Sequence, residues 1–288
     1  MKLVKYFIQF LLISILFMVF KILGYKNASN LGSIIGRNFG KFLRSDKIIL
    51  KNIDIMSQYL NLEDNNKDKF VQEIFSNYGR ILSEYVFLKQ FRNGSLSKYV
   101  NVNGGNYLEE IKKKNKQVIF ISGHFNNFEL MAMFIDKTNI KLSAIYRPLN
   151  NIFLNKIMEF IRLNHICKNQ IKKGKSGTRE LINLIKKKYS IALMIDQRVS
   201  EGIKCDLFGK SAYTTTIPAQ IIKKYDFEIV PVYIERYDQI KFNLTINKPV
   251  KFDKNQSIEE ITISLNKLLE NMILKNPTQW IFTHNRWK

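Results

Sequence analysis

The hydrophobic pattern changes twice along the chain. From residue 6 to residue 20 there is no charge, and Lys5 and Lys21 stand at the two ends. A membrane-crossing helix takes about 20 apolar residues, with a lower limit near 17. Residues 3–23 reach that length if both lysines extend toward the headgroups. Lys-Ile-Leu-Gly-Tyr-Lys follows the run in place of a small-x-small cleavage site, which argues against a removed signal peptide. The expectation is a short membrane anchor helix over residues 1–24. An interfacial helix and a buried core helix are its alternatives.

Residues 25–95 read as helical. Ile48, Ile49, Ile53 and Met56 recur at helical spacing, and a polar stretch over residues 61–66 interrupts them. A second helix follows over about residues 67–89, with Phe70, Ile74, Tyr78, Ile81, Leu82 and Tyr85 on one face. After Asn93-Gly94 short apolar runs alternate with amphipathic segments. Strands are predicted at Val118–Ser122, 141–146, 190–195 and 228–234, with helices at 126–137, 151–163, 176–188 and 217–225. This alternation predicts one α/β domain over residues 25–288, layered around a mostly parallel sheet. In such sheets ligands collect beyond the carboxyl ends of the strands.

Charge adds a partner to this picture. The 288 residues hold 46 Lys+Arg against 24 Asp+Glu, a net charge of +22. That excess points to nucleic acid, an anionic membrane surface or an acidic protein. No helix-turn-helix, zinc-finger or RNA-recognition signature is visible, so nucleic acid is the least supported of the three. Lys21, Lys26, Arg37, Lys41 and Arg44 follow the apolar run before the first acid, Asp46. Such an excess favours keeping the following domain on the cytoplasmic side. A second basic stretch covers residues 168–188. Within it Gly174-Lys175-Ser176 lacks the first glycine of a phosphate loop, where Asn169 stands instead. Two cysteines are too few for a disulfide scaffold, and three scattered histidines lack metal-ligand spacing, so no metal or cofactor is expected.

The strand at residues 118–122 runs into Gly123-His124-Phe125-Asn126-Asn127-Phe128-Glu129. His124 and Glu129 are five residues apart, about 140° around a continuous helix. They converge only if His124 lies on the turn before the helix and Glu129 in its first turn, with Gly123 easing the bend. A carboxylate on one imidazole nitrogen would leave the other as a general base. Asn126 and Glu129 also have the spacing of a capping box, which would make Glu129 structural. Arg147 and the group Asp196-Gln197-Arg198 each follow a predicted strand and should reach the same sheet edge.

These blocks resemble, in order, those of the bacterial lipid A biosynthesis late acyltransferases of the lauroyl and myristoyl type. Gly-His-x-x-x-x-Glu matches at residues 123–129, and Tyr146-Arg147-Pro148-Leu149-Asn150-Asn151 matches a Tyr-Arg-Pro-x-x-Asn block. Asp196-Gln197, Leu207-Phe208-Gly209 with Thr214-Thr215-Thr216, and the ending Asn285-Arg286-Trp287-Lys288 complete the series. The resemblance implies a glycerolipid-acyltransferase-like fold and O-acyl transfer to a hydroxyl of a lipid A precursor, with another glycolipid or a phospholipid as the alternative acceptor. It implies His124 as general base and Glu129 as its orienting partner. Arg147, Asp196, Gln197 and Arg198 would bind substrate. The implied donor is an acyl carrier protein thioester, for whose acidic surface residues 168–188 would suit docking. The place of work would be the cytoplasmic side of the cell inner membrane. His284 is expected to be structural.

Overall fold

A computed structural model describes residues 2–288, apart from the side chain of Lys175. Met1 of the expected anchor and the Lys175 side chain of the basic run therefore lie outside the described residues. Helix α1 (Lys2–Leu43) bends at Gly24, whose φ of 73° and ψ of 166° break the helical path. The arm before the bend is long and apolar enough to cross a membrane, and most of its side chains are exposed. The arm after the bend packs on α3 (Lys67–Glu84), with α2 (Lys47–Leu60) between them in sequence. Gly32, Gly36 and Gly79 allow this crossing. A Cβ at Gly36 would lie 2.0 Å from the Phe75 carbonyl oxygen, and one at Gly79 would lie 1.9 Å from that of Gly32.

After α4 (Leu88–Arg92), the sheet begins with β1 (Val100–Asn103), followed by α5 (Gly105–Lys113) and β2 (Val118–Ser122). Three strand–helix units continue: α6 (Glu129–Lys137) and β3 (Leu142–Tyr146); α7 (Ile152–Ile161) and β4 (Asn169–Lys172); α8 (Lys175–Lys186) and β5 (Ser190–Met194). A hairpin of β6 (Ile203–Leu207) and β7 (Lys210–Thr214) stands apart from the sheet. The chain then adds α9 (Ile217–Tyr225), β8 (Glu228–Tyr237), β9 (Lys241–Ile246) and α10 (Ile258–Lys275). The seven-stranded order is β1-β9-β8-β2-β5-β3-β4, and only the β8–β9 pairing is antiparallel. The expected α/β layering with a mostly parallel sheet is thus observed.

Central β2 is buried at every position, as a parallel strand covered on both faces requires, which is why its sequence is continuously apolar up to Ser122. β8 carries Pro231 in its middle without losing the sheet. Its pairing with β9 starts one residue later, at Val232, so the missing N–H falls outside that ladder. The neighbours β2, β5 and β3 run parallel, so their carboxyl ends and the loops after them share one edge.

Candidate active site

At the end of β2 the chain turns sharply, and the Phe125 N–H donates to the Gly123 carbonyl (2.9 Å) across His124. Gly123 is needed here for space. A Cβ there would lie 2.9 Å from the Phe125 ring, whereas the left-handed residue of the turn is Asn126, with φ of 44°. Asn tolerates that conformation better than most residues. Phe125 and Asn126 then pair with the carboxyl-terminal segment: Phe125 bridges Trp280, and the Asn126 N–H donates to the Gln279 carbonyl (2.8 Å).

The expected His124–Glu129 pair is not formed. His124 Nδ1 lies 2.8 Å from Asp196 Oδ1, and the His124 backbone N–H donates to Asp196 Oδ2 (2.7 Å). Trp280 Nε1 donates to the same Oδ2 at 2.9 Å. β2 and β5 are hydrogen-bonded neighbours, and this brings the residue two beyond β5 to the residue two beyond β2. Asp196 is fully buried. Burial opposes its ionisation, but the charge and hydrogen bonds of His124, with the Trp280 bond, hold its carboxyl below the usual range. Facing a carboxylate that only accepts, Nδ1 is the nitrogen that donates, which makes Nε2 the one left for a substrate.

Glu129 instead accepts from Arg162 Nε (2.9 Å), Arg162 Nη2 (2.7 Å) and the Tyr85 hydroxyl (2.8 Å), all on Oε1. Burial works against the Arg162 cation, yet Glu129 and Tyr85 hold its pKa above the ordinary guanidinium value. Burial and the Glu129 charge push the Tyr85 phenol well up. Arg162 opens a single π-helical turn, Arg162–Ile166, at the end of α7, and its guanidinium stacks over the Tyr146 ring. The capping box is absent as well. Asn126 Oδ1 accepts from the Asn127 N–H and from Arg236, and Phe128 precedes the helix without a side-chain cap.

His124, Glu129, Arg147, Gln197 and His284 line one cavity of about 560 Å³ at the shared strand edge. Arg147 is exposed, and among the described residues no carboxylate pairs with it. Arg198 turns elsewhere: its Nε donates to the Lys288 carbonyl (3.1 Å), its guanidinium covers the Tyr213 ring, and it is not part of the cavity wall. Asp196 lies beneath His124, also outside that wall. Sequence reasoning missed Arg162, Tyr85 and Trp280 as contributors. Only the terminal Arg-Trp-Lys block hinted that the tail takes part.

His284 belongs to the site's frame. Its Nε2 accepts the Arg198 backbone N–H at 2.8 Å, and burial lowers its pKa to about 4. Thr214 accepts from buried Arg286 (2.7 Å), so the terminal block closes onto β7.

Comparison with known proteins agrees with the resemblance. A family model described as bacterial lipid A biosynthesis acyltransferase matches residues 1–288. A lipid A biosynthesis palmitoleoyltransferase of Escherichia coli (strain K12) is 22% identical over 267 residues, covering 90% of this chain and 84% of the relative. A lipid A biosynthesis acyltransferase of Haemophilus influenzae is 22% identical over 264 residues, covering 88% and 83%.

Proposed function

The chain belongs to the family of bacterial lipid A biosynthesis acyltransferases, and we propose that it moves a fatty acyl chain from an acyl carrier protein thioester to a hydroxyl of a lipid A precursor. One observation carries this reading: His124 lines the cavity with Nδ1 tied to buried Asp196. Nε2 takes the proton of the acceptor hydroxyl as its oxygen attacks the thioester carbonyl. The tetrahedral oxyanion collapses, the C–S bond breaks, and the departing thiolate takes the proton from the imidazolium. Asp196 sets the tautomer and stabilises the transient cation.

Arg147, with Lys173 on the same wall, holds a phosphate of the acceptor, and Gln197 contributes a neutral contact. The Glu129–Arg162–Tyr85 group, which also lines the cavity, holds its wall in place. Arg198 leaves the substrate and secures the tail. The acidic carrier docks where Lys172, Lys173, Arg179 and Lys186 are exposed around α8, since Lys173 also reaches the cavity. A cytosolic donor places this reaction on the cytoplasmic side of the inner membrane.

The test is acyl transfer from an acyl carrier protein thioester to a lipid A precursor, read by mass spectrometry as one added acyl chain. His124→Ala should lower kcat by about 10²–10⁴-fold. Undiminished transfer by that variant would overturn the assignment.

A further inference from the structure

The first arm of α1 does not stand away from the protein. Tyr6, Phe10, Ile13 and Phe17 are half-buried and Phe20 is buried, at three- and four-residue intervals along one face. At the amino-terminal end the Phe7 and Phe10 rings meet Phe153 of α7 at 5.5 and 5.9 Å. Asn151 fixes that contact. Its Nδ2 donates to the Tyr6 carbonyl (2.9 Å) and Gln9 Oε1 (3.4 Å), while its Oδ1 caps α7 by accepting from Phe153 and Leu154. At the other end Lys21 Nζ donates to the Val86 carbonyl (3.2 Å). Both ends of the arm therefore touch the domain that carries the cavity.

The opposite face is apolar and open, with Val4, Ile8, Leu12, Ile15, Met18 and Ile22 all exposed. α7, which the arm touches, and its flanks expose apolar side chains too, at Leu149, Ile152, Phe160 and Leu163. An upright arm would separate Tyr6 from Phe20 by about 21 Å along the bilayer normal, most of a hydrocarbon core about 30 Å thick. Because Asn151 is bonded at Tyr6, it would carry Arg147, Lys156 and Glu159 to that depth, where charged groups are heavily penalised. An arm lying flat has no such conflict. Lys2, Lys5, Lys21, Arg147, Lys156 and Lys173 are all exposed and can reach anionic headgroups.

We propose that the first arm of α1 and α7 lie side by side within a single leaflet, so that the protein is monotopic and the acceptor lipid enters the cavity sideways, past α7. Leu149, Met158 and Arg162 belong to both the α7 region and the cavity wall, which joins the lipid-facing surface to the site. The lateral route rests on the acyl-transfer reading, whereas the topology does not.

Both native cysteines are buried, so an introduced one can be labelled selectively. Lys5→Cys reports the start of the arm. Lys113→Cys, on α5 beside the far edge of the sheet, reports the domain. In sealed inside-out vesicles from a bacterial host, an impermeant maleimide that labels Lys113→Cys should label Lys5→Cys equally well, with no gain after detergent. Phe160→Cys carrying an environment-sensitive fluorophore should be blue-shifted in phosphatidylethanolamine/phosphatidylglycerol vesicles and quenched by doxyl lipids, unlike Lys113→Cys. Labelling of Lys5→Cys only after detergent, or a Phe160→Cys probe as aqueous as Lys113→Cys, would overturn the proposal. Neither readout needs catalysis, so loss of the acyl-transfer reading would leave the topology result standing.

Discussion

His124 and its partner show how far a local motif reaches. The five-residue spacing suggested Glu129, but the imidazole meets a carboxylate 72 residues away in sequence. Nothing near His124 names Asp196, because the contact exists only once β5 pairs with β2. The two carboxylates can be told apart. Asp196→Asn should lower kcat by about 10²–10⁴-fold through the lost tautomer control. Glu129→Gln, which loosens Arg162, should cost less kcat, and steady-state kinetics showing the reverse order would remove Asp196 from its role. His284 gives a prediction in pH. The unfolded chain protonates this ring near 6.5, and the folded one only near 4. Between those values the unfolded state binds more protons, so stability falls on acidification through that window. His284→Gln should flatten the fall in thermal midpoint between pH 6.5 and 4. An unchanged slope would show that other groups set it.

At the scale of elements, period and length were informative where runs were long and apolar. β2, β3, β5 and the start of β8 follow their apolar runs, and α7, α8 and α9 follow their amphipathic ones. β1 and β4 escaped because they are short, polar edge strands whose pairing comes from one neighbour each. α10 escaped although Ser257-x-x-Glu260 announces it; the capping box is fully formed. The α1–α3 crossing depends on glycines that a hydropathy pattern does not weigh. Gly36→Ala and Gly79→Ala push a methyl into opposing backbone, and overpacking of this kind costs about 1–3 kcal/mol. Each kcal/mol lowers the thermal midpoint by about 2–4 °C in a protein near this size. Gly105→Ala, where a Cβ meets nothing within 4 Å, should leave the midpoint unchanged in the same assay.

At the scale of the molecule, one buried ion pair ties the parts together. Arg236 of β8 binds both oxygens of Glu84 on α3 (2.6 and 2.9 Å) and the Oδ1 of Asn126 (2.7 Å). Glu84 also accepts from Ser29 of α1 (2.8 Å) and from Asn127 (3.1 Å). The helical amino-terminal part is thereby joined to the loop that carries His124. Breaking a buried pair leaves one charge uncompensated, so Glu84→Gln should destabilise by about 3–5 kcal/mol. Differential scanning fluorimetry in detergent would register this, and a loss no larger than that of an exposed control such as Glu63→Gln would refute the linkage. The net charge of +22 also resolves at this scale. Several exposed cations fringe the apolar arm and the cavity mouth, which is where the proposed anionic lipid and acidic carrier would bind.

The sequence by itself determined what local physics can determine. An uncharged run made an apolar helix, alternating periods made a parallel α/β sheet, and a histidine placed just beyond a strand lay at the edge where ligands gather. Only the tertiary structure decided which carboxylate serves that histidine, which cations face the cavity, and whether the apolar arm leaves the domain or lies along it. Those outcomes depend on strand order and helix packing between residues far apart in the chain. Spacing along the backbone carries no record of them.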